Sequence, residues 1–169
     1  MDHLIEMSLS QLLQKTIAAF PDTQRRQHAT DTVSVTDIQL IPAAGSLLAK
    51  GTVRGAGGQP YQCAVQFDDV VYDPENTNAI ATFVSGEKEY KIAQLNKTTA
   101  DVKVRCTCLD FRFRFAHYNH SVQALYGKQP ELYAKVPNSN REKANPTQSP
   151  GMCKHIIDFV DSLENSGLF

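Results

Sequence analysis

Four side chains in two short stretches have the types and spacing of a metal-binding set. "VRCTCLDF" carries Cys106 and Cys108 one residue apart, and "GMCKHI" carries Cys153 and His155 at the same spacing. Between Cys108 and Cys153 lie 44 residues. Three thiolates and one imidazole match a tetrahedral Zn2+ ion, because soft sulfur and borderline nitrogen suit that metal. The ion lowers the thiol pKa enough to be bound by thiolate at neutral pH, and a helix N-terminus at Cys153 assists its ionisation. Four protein donors leave no coordination position for water, so the pattern predicts a structural ion and not a hydrolytic one. Cys153 and His155 as a nucleophile–base dyad are disfavoured, since side chains two residues apart on a helix diverge by about 200°. No glycine-rich phosphate loop accompanies them, and the chain is read as non-catalytic.

The elements that must position these residues are legible in outline. "SLSQLLQKTIAAF" over 8–20 places Leu9, Leu12, Leu13, Thr16, Ile17 and Phe20 at helical spacing, with Ser8 and Gln11 as a capping box and Pro21 as the stop. From Val33 to Leu95 the pattern changes to short β-branched or aromatic runs separated by turn clusters, which predicts antiparallel strands. In "DVKVRCTC", Val102, Val104 and Cys106 share one face by two-residue alternation. Beyond Cys108 the apolar parity shifts, so the strand has to end there. Phe111, Phe115, Tyr118, Val122 and Leu125 then recur as one stripe, which favours a helix over about 110–126, started by Asp110 and ended by Gly127. Residues 128–151 are polar and contain four prolines, a long loop insert. Met152, Ile156, Phe159, Val160 and Leu163 form the inner stripe of a closing helix. The fold class expected is α+β: an N-terminal helix, an antiparallel sheet of about four to six strands, and a zinc module. Residues 1–99 hold the first two parts and 100–169 the module. Cys63, mid-strand in "YQCAVQF", is read as a small core hydrophobe.

C-x-C followed by C-x-H at the start of a helix resembles the SWIM zinc finger. The resemblance covers roughly residues 100–165 and implies Cys106, Cys108, Cys153 and His155 as zinc ligands. Two features depart from the family: the spacer is longer, and Leu109 follows the second cysteine where proline is frequent. "CTCLDFRFRFAHYN" with "NPTQSPGMCKHI" is similar to a long-insert variant associated with structural proteins of tailed bacteriophages. That likeness implies a non-catalytic assembly protein contacting other virion subunits, located in a virion or the host cytoplasm.

SWIM modules also imply a second reading, nucleic-acid binding, for which Lys103, Arg105, Arg112, Arg114 and Lys154 would contact phosphates. Charge does not favour it. Residues 1–85 carry five basic and nine acidic side chains, residues 86–169 twelve and nine, and the whole chain has a net charge of -1. A dedicated nucleic-acid binder is strongly basic. No apolar run reaches the roughly 18 residues of a membrane span, so no membrane partner is expected. Asp2 and Glu6 stand where a secretory signal is basic, so the chain is not expected to be secreted.

Overall fold

A computed structural model of the chain describes residues 6–21, 34–55, 57–75, 79–131 and 144–169. Helix α1 (Leu9–Ala19) begins where the sequence predicts: the Ser8 hydroxyl accepts from the Gln11 N–H, and the Gln11 side chain accepts from the Ser8 N–H. These two bonds satisfy donors that a helix start otherwise leaves unpaired. Leu9, Leu12 and Thr16 form its buried side.

Strands β1 (Ser34–Ala43), β2 (Ser46–Arg54), β3 (Pro60–Phe67) and β6 (Val102–Cys106) form one antiparallel sheet in the order β1-β2-β3-β6. Strands β4 (Ile80–Ser85) and β5 (Lys88–Ala93) form a separate hairpin, with Phe83 stacked on Tyr90 at 5.3 Å between centroids. The fold is α+β, with four and two strands. Because β6 pairs with β3, the larger sheet runs across the segment boundary at residues 99–100.

Register explains the core. Three ranks of inward side chains cross the sheet: Leu47–Phe67–Val102, Ala49–Val65–Val104, and Gly51–Cys63–Cys106. The first two ranks are buried to 2 % exposure or less. The third opens a space at Gly51, and the Phe159 ring fills it. A Cβ on Gly51 would stand 2.5 Å from Phe159 Cε2, so only glycine lets the ring this close.

Phe159 belongs to helix α3 (Lys154–Glu164), which packs across β1, β2, β3 and β6. Its inner stripe follows the predicted spacing, with Ile156, Phe159, Val160 and Leu163 all buried, while Met152, also buried, lies just before the helix. Full burial of each such side chain is worth about 1.5–3 kcal/mol, which seats the helix firmly on the sheet.

The helix after β6 differs from the expectation. It opens at Leu109, passes through a π-helical turn (Phe111–Phe115), and continues as α2 (Ala116–Ser121), ending well before residue 126. Gln123 adopts φ 58°, and Ala124 donates its N–H to Asn119 O at 2.8 Å, which reverses the chain. The outer edge of β6 then captures the next residues. Val104 donates to Ala124 O at 2.9 Å, and Tyr126 donates to Val104 O at 3.1 Å. An unpaired strand edge gained partners that continuing the helix to residue 126 would have denied it. Among the described residues no helix is long and apolar enough to cross a membrane.

Candidate metal centre

Cys106 is the last residue of β6, and alternation aims it into the core. Thr107 finishes the ladder: its N–H donates to Gln62 O at 3.0 Å, and its hydroxyl accepts from the Gln62 N–H at 2.9 Å. Cys108 then starts the next helix. Its carbonyl accepts from the Arg112 N–H at 3.1 Å, and its sulfur accepts from the Phe111 N–H at 3.3 Å. The cap is therefore Cys108 and not the expected Asp110, which has helical angles and makes no capping bond. Asp110 instead pairs with Arg114 at 3.2 Å, one turn on. The Cys106 sulfur accepts from the Cys108 N–H at 3.5 Å, which ties the two cysteines into one knuckle.

Cys153 caps α3 with an extended backbone, φ −74° and ψ 166°, and His155 follows within the first turn. Since Cys153 lies outside the helix, the helical divergence expected of these two side chains does not arise. Both turn to the same point: His155 Nδ1 lies 4.0 Å from Cys153 Sγ and 3.9 Å from Cys106 Sγ. All four ligand atoms lie within 4.8 Å of one another. Bond lengths of about 2.3 Å to sulfur and 2.0–2.1 Å to nitrogen would set tetrahedral edges of about 3.6–3.8 Å, close to this spacing. Cys106, Cys108, Cys153 and His155 are 4, 3, 0 and 5 % exposed. The Tyr61 ring lies against His155 at 4.4 Å between centroids. The two distant motifs thus form one buried cluster that can hold a metal ion.

Without an ion, protons hold the sulfurs apart in charge. Hydrogen bonding from Cys108 first, then from Cys153 and Cys63, holds the Cys106 thiol far below its ordinary pKa. Cys108, as the partner that keeps its proton, is pushed up to about 12. Complete burial raises Cys153. An incoming cation must displace those protons. Acid therefore opposes binding, and apparent affinity should rise with pH between about 6 and 8. Titration with Co2+, followed by its thiolate charge-transfer band, checks this; a pH-independent midpoint would contradict it.

Sequence reasoning did not find the side chains that hold the second motif in place. Asn119, fully buried on α2, donates to Gly151 O at 2.9 Å and accepts from the Gly151 N–H at 2.8 Å. Thr16 of α1 accepts from the Met152 N–H at 2.9 Å. Asn145 donates to Arg114 O at 2.7 Å and to Ser149 O at 2.8 Å, and accepts from the Ser149 N–H at 3.1 Å. Helices α1 and α2 thus both hydrogen-bond the backbone just before Cys153, Thr16 as acceptor and Asn119 as donor and acceptor. The only sequence signals were two asparagines in "HYNH" and "KANPTQ" and a threonine on a helix's apolar side.

Of the five basic residues considered for phosphate contact, Lys103, Arg105 and Arg114 have acidic or carbonyl partners within the chain, and the Arg112 guanidinium lies 5.9 Å from the Phe113 ring centroid. Lys103 pairs with Asp68. Arg105 donates to Tyr126 O at 2.8 Å and Lys128 O at 2.7 Å. Arg114, besides Asp110, lies 4.7 Å from the Phe20 ring centroid. Lys154 is half-buried at the start of α3, and Arg112 is exposed beside the knuckle.

The chain was compared with models of known protein families, with curated proteins and with solved structures. It matches none of them.

Proposed function

We propose that the cluster binds one Zn2+ ion as a SWIM-type structural site, and that the chain is a non-catalytic assembly protein of a tailed-bacteriophage virion. The observation that carries the metal reading is the convergence of four buried donors, three of them sulfur, from segments 44 residues apart. Sulfur-rich tetrahedral sets favour zinc, and a site closed by four protein ligands stabilises a fold instead of activating water. The ion would fasten the end of the sheet to the helix that covers it.

The assembly reading rests on the motif's likeness to virion proteins and on the surface beside the centre. Leu109 and Phe113, one turn apart, are 65 and 38 % exposed. Apolar side chains next to a rigid knuckle suit contact with another protein surface more than with phosphate. The engagement of Lys103, Arg105 and Arg114 within the chain points the same way.

Elemental analysis combined with native mass tests the first part: one zinc per chain is expected, and metal-free protein would remove it. A DNA mobility-shift assay tests the second. No salt-sensitive shift at about micromolar protein is expected, whereas one that weakens steeply with salt would replace assembly by nucleic-acid binding.

A further inference from the structure

The four-donor set leaves out one cysteine, and that cysteine lies beside the set. Cys63 on β3 stands directly opposite Cys106 on β6, on the same face of the sheet, and is 1 % exposed. Thr107 donates its N–H to Gln62 O, so residues 62 and 107 form a hydrogen-bonded pair. Antiparallel ladders alternate, which makes 63 and 106 a non-hydrogen-bonded pair. Such pairs hold Cα atoms about 4.5 Å apart and bring side chains closest together. A disulfide spans Cα separations of about 4.4–6.8 Å, so these two sulfurs can be joined without moving either strand.

Access favours the same pair. Thr107 and Leu109 are exposed on either side of Cys108, so the knuckle lies just beneath the surface. Cys106 and Cys108 keep 4 and 3 % exposure while Cys153 keeps 0 %, so the knuckle side of the cluster, where Cys63 faces Cys106, lies nearer the surface than Cys153. Cys108 and Cys153 cap helices and are both ligands in the proposed centre; Cys63 alone keeps a sulfur off the ion.

We propose that Cys63 is the resolving thiol of the metal centre: when a peroxide oxidises Cys106, Cys63 captures it as a disulfide, the ion leaves, and reduction restores the site. The inference rests on the metal-centre reading above. The Cys106 thiolate attacks the peroxide O–O bond, giving a sulfenic acid and, from hydrogen peroxide, hydroxide. The Cys63 sulfur then attacks the sulfenic sulfur. The S–S bond forms, the S–O bond breaks, and the departing hydroxide leaves as water with the Cys63 proton. Two electrons pass from the two cysteines to the peroxide. With Cys106 withdrawn, three donors remain and the closed coordination shell is lost. Capture also keeps Cys106 from the irreversible sulfinic state.

The test treats the full metal-loaded chain with stoichiometric hydrogen peroxide, follows zinc release with a colorimetric chelator, and maps cross-linked peptides by mass spectrometry after blocking remaining thiols. The expected product joins Cys63 to Cys106, with one ion released per cross-link and full reloading after dithiothreitol and zinc. With a second equivalent of peroxide, Cys63→Ala should release its ion but fail to reload, because the sulfenic acid at Cys106, left without Cys63, is oxidised by that second peroxide to the irreversible sulfinic acid. A cross-link confined to Cys106, Cys108 and Cys153 with Cys63 still alkylatable overturns the proposal, as does a Cys63→Ala chain that reloads like the wild type. The wild-type map needs no variant to fold. Metal content before oxidation separates the two readings: a chain that never holds metal sinks the centre, while peroxide mapping of that metal-free chain still decides the Cys63–Cys106 pairing.

Discussion

Replacing Cys106 with Ser, or stripping the metal from the unaltered chain with EDTA, is expected to lower the melting temperature by on the order of 10–20 °C. Structural zinc contributes about 10–16 kcal/mol in small fingers, whereas a whole domain is stable by about 5–15 kcal/mol. Here the fold has an independent apolar core, three ranks of the sheet covered by α3, so the metal need not supply everything. A loss of about 5 kcal/mol is a reasonable share, and each kcal/mol moves the midpoint of a chain this size by about 2–4 °C. Serine keeps the shape of the side chain but offers no thiolate, so the ion loses a ligand at the junction of β6 and the knuckle. The variant should also stop responding to EDTA, since both changes remove the same interaction. Thermal unfolding followed by circular dichroism reads both effects. Coincident curves for metal-loaded and metal-free protein would contradict the expectation.

The second large effect is expected from a methyl group added outside the ligand set. Gly151→Ala places a Cβ 2.5 Å from Thr16 Oγ1 and 2.7 Å from Phe115 Cε1. Neither neighbour can retreat. The Thr16 hydroxyl accepts from the Met152 N–H and donates to Leu12 O at 2.7 Å, and the Phe115 ring is fully buried, edge-on to Phe20. Gly151 is itself pinned by both ends of the Asn119 amide. The strain has to move the backbone two residues before Cys153. Overpacking of this kind costs about 1–3 kcal/mol. Because the displaced segment carries a ligand, metal affinity should also fall by about 10-fold or more, as it does when supporting residues of metal sites are changed. Chelator competition measures the affinity and thermal unfolding the stability. An alanine variant equal to the wild type in both would show that this contact does not position Cys153.

What could be read before the tertiary structure was whatever depends on neighbours a few residues apart. The Ser8–Gln11 capping box, the inner stripe of α3, and the alternation that turns Val102, Val104 and Cys106 to one face all follow from local geometry. The ligand set was legible for a related reason, since residue type and one-residue spacing are chemistry written in the chain itself. Where local periodicity met a competing long-range partner, the reading failed. The stripe through Val122 and Leu125 fits a helix, yet the edge of β6 offered hydrogen bonds to Ala124 and Tyr126 that a helix would have forgone. Asp110 suits a helix cap, but Cys108, held by Cys106 at the strand's end, reached the Phe111 N–H first.

Sequence alone determined that this chain is α+β and that Cys106, Cys108, Cys153 and His155 form a candidate metal-ligand set. Only the tertiary structure decided that Thr16 and Asn119 seat the second motif, that His155 turns Nδ1 inward, and that Cys63 stands across from Cys106. Those outcomes depend on sheet register and on which distant N–H reaches which side chain, and neither is a function of spacing along the chain.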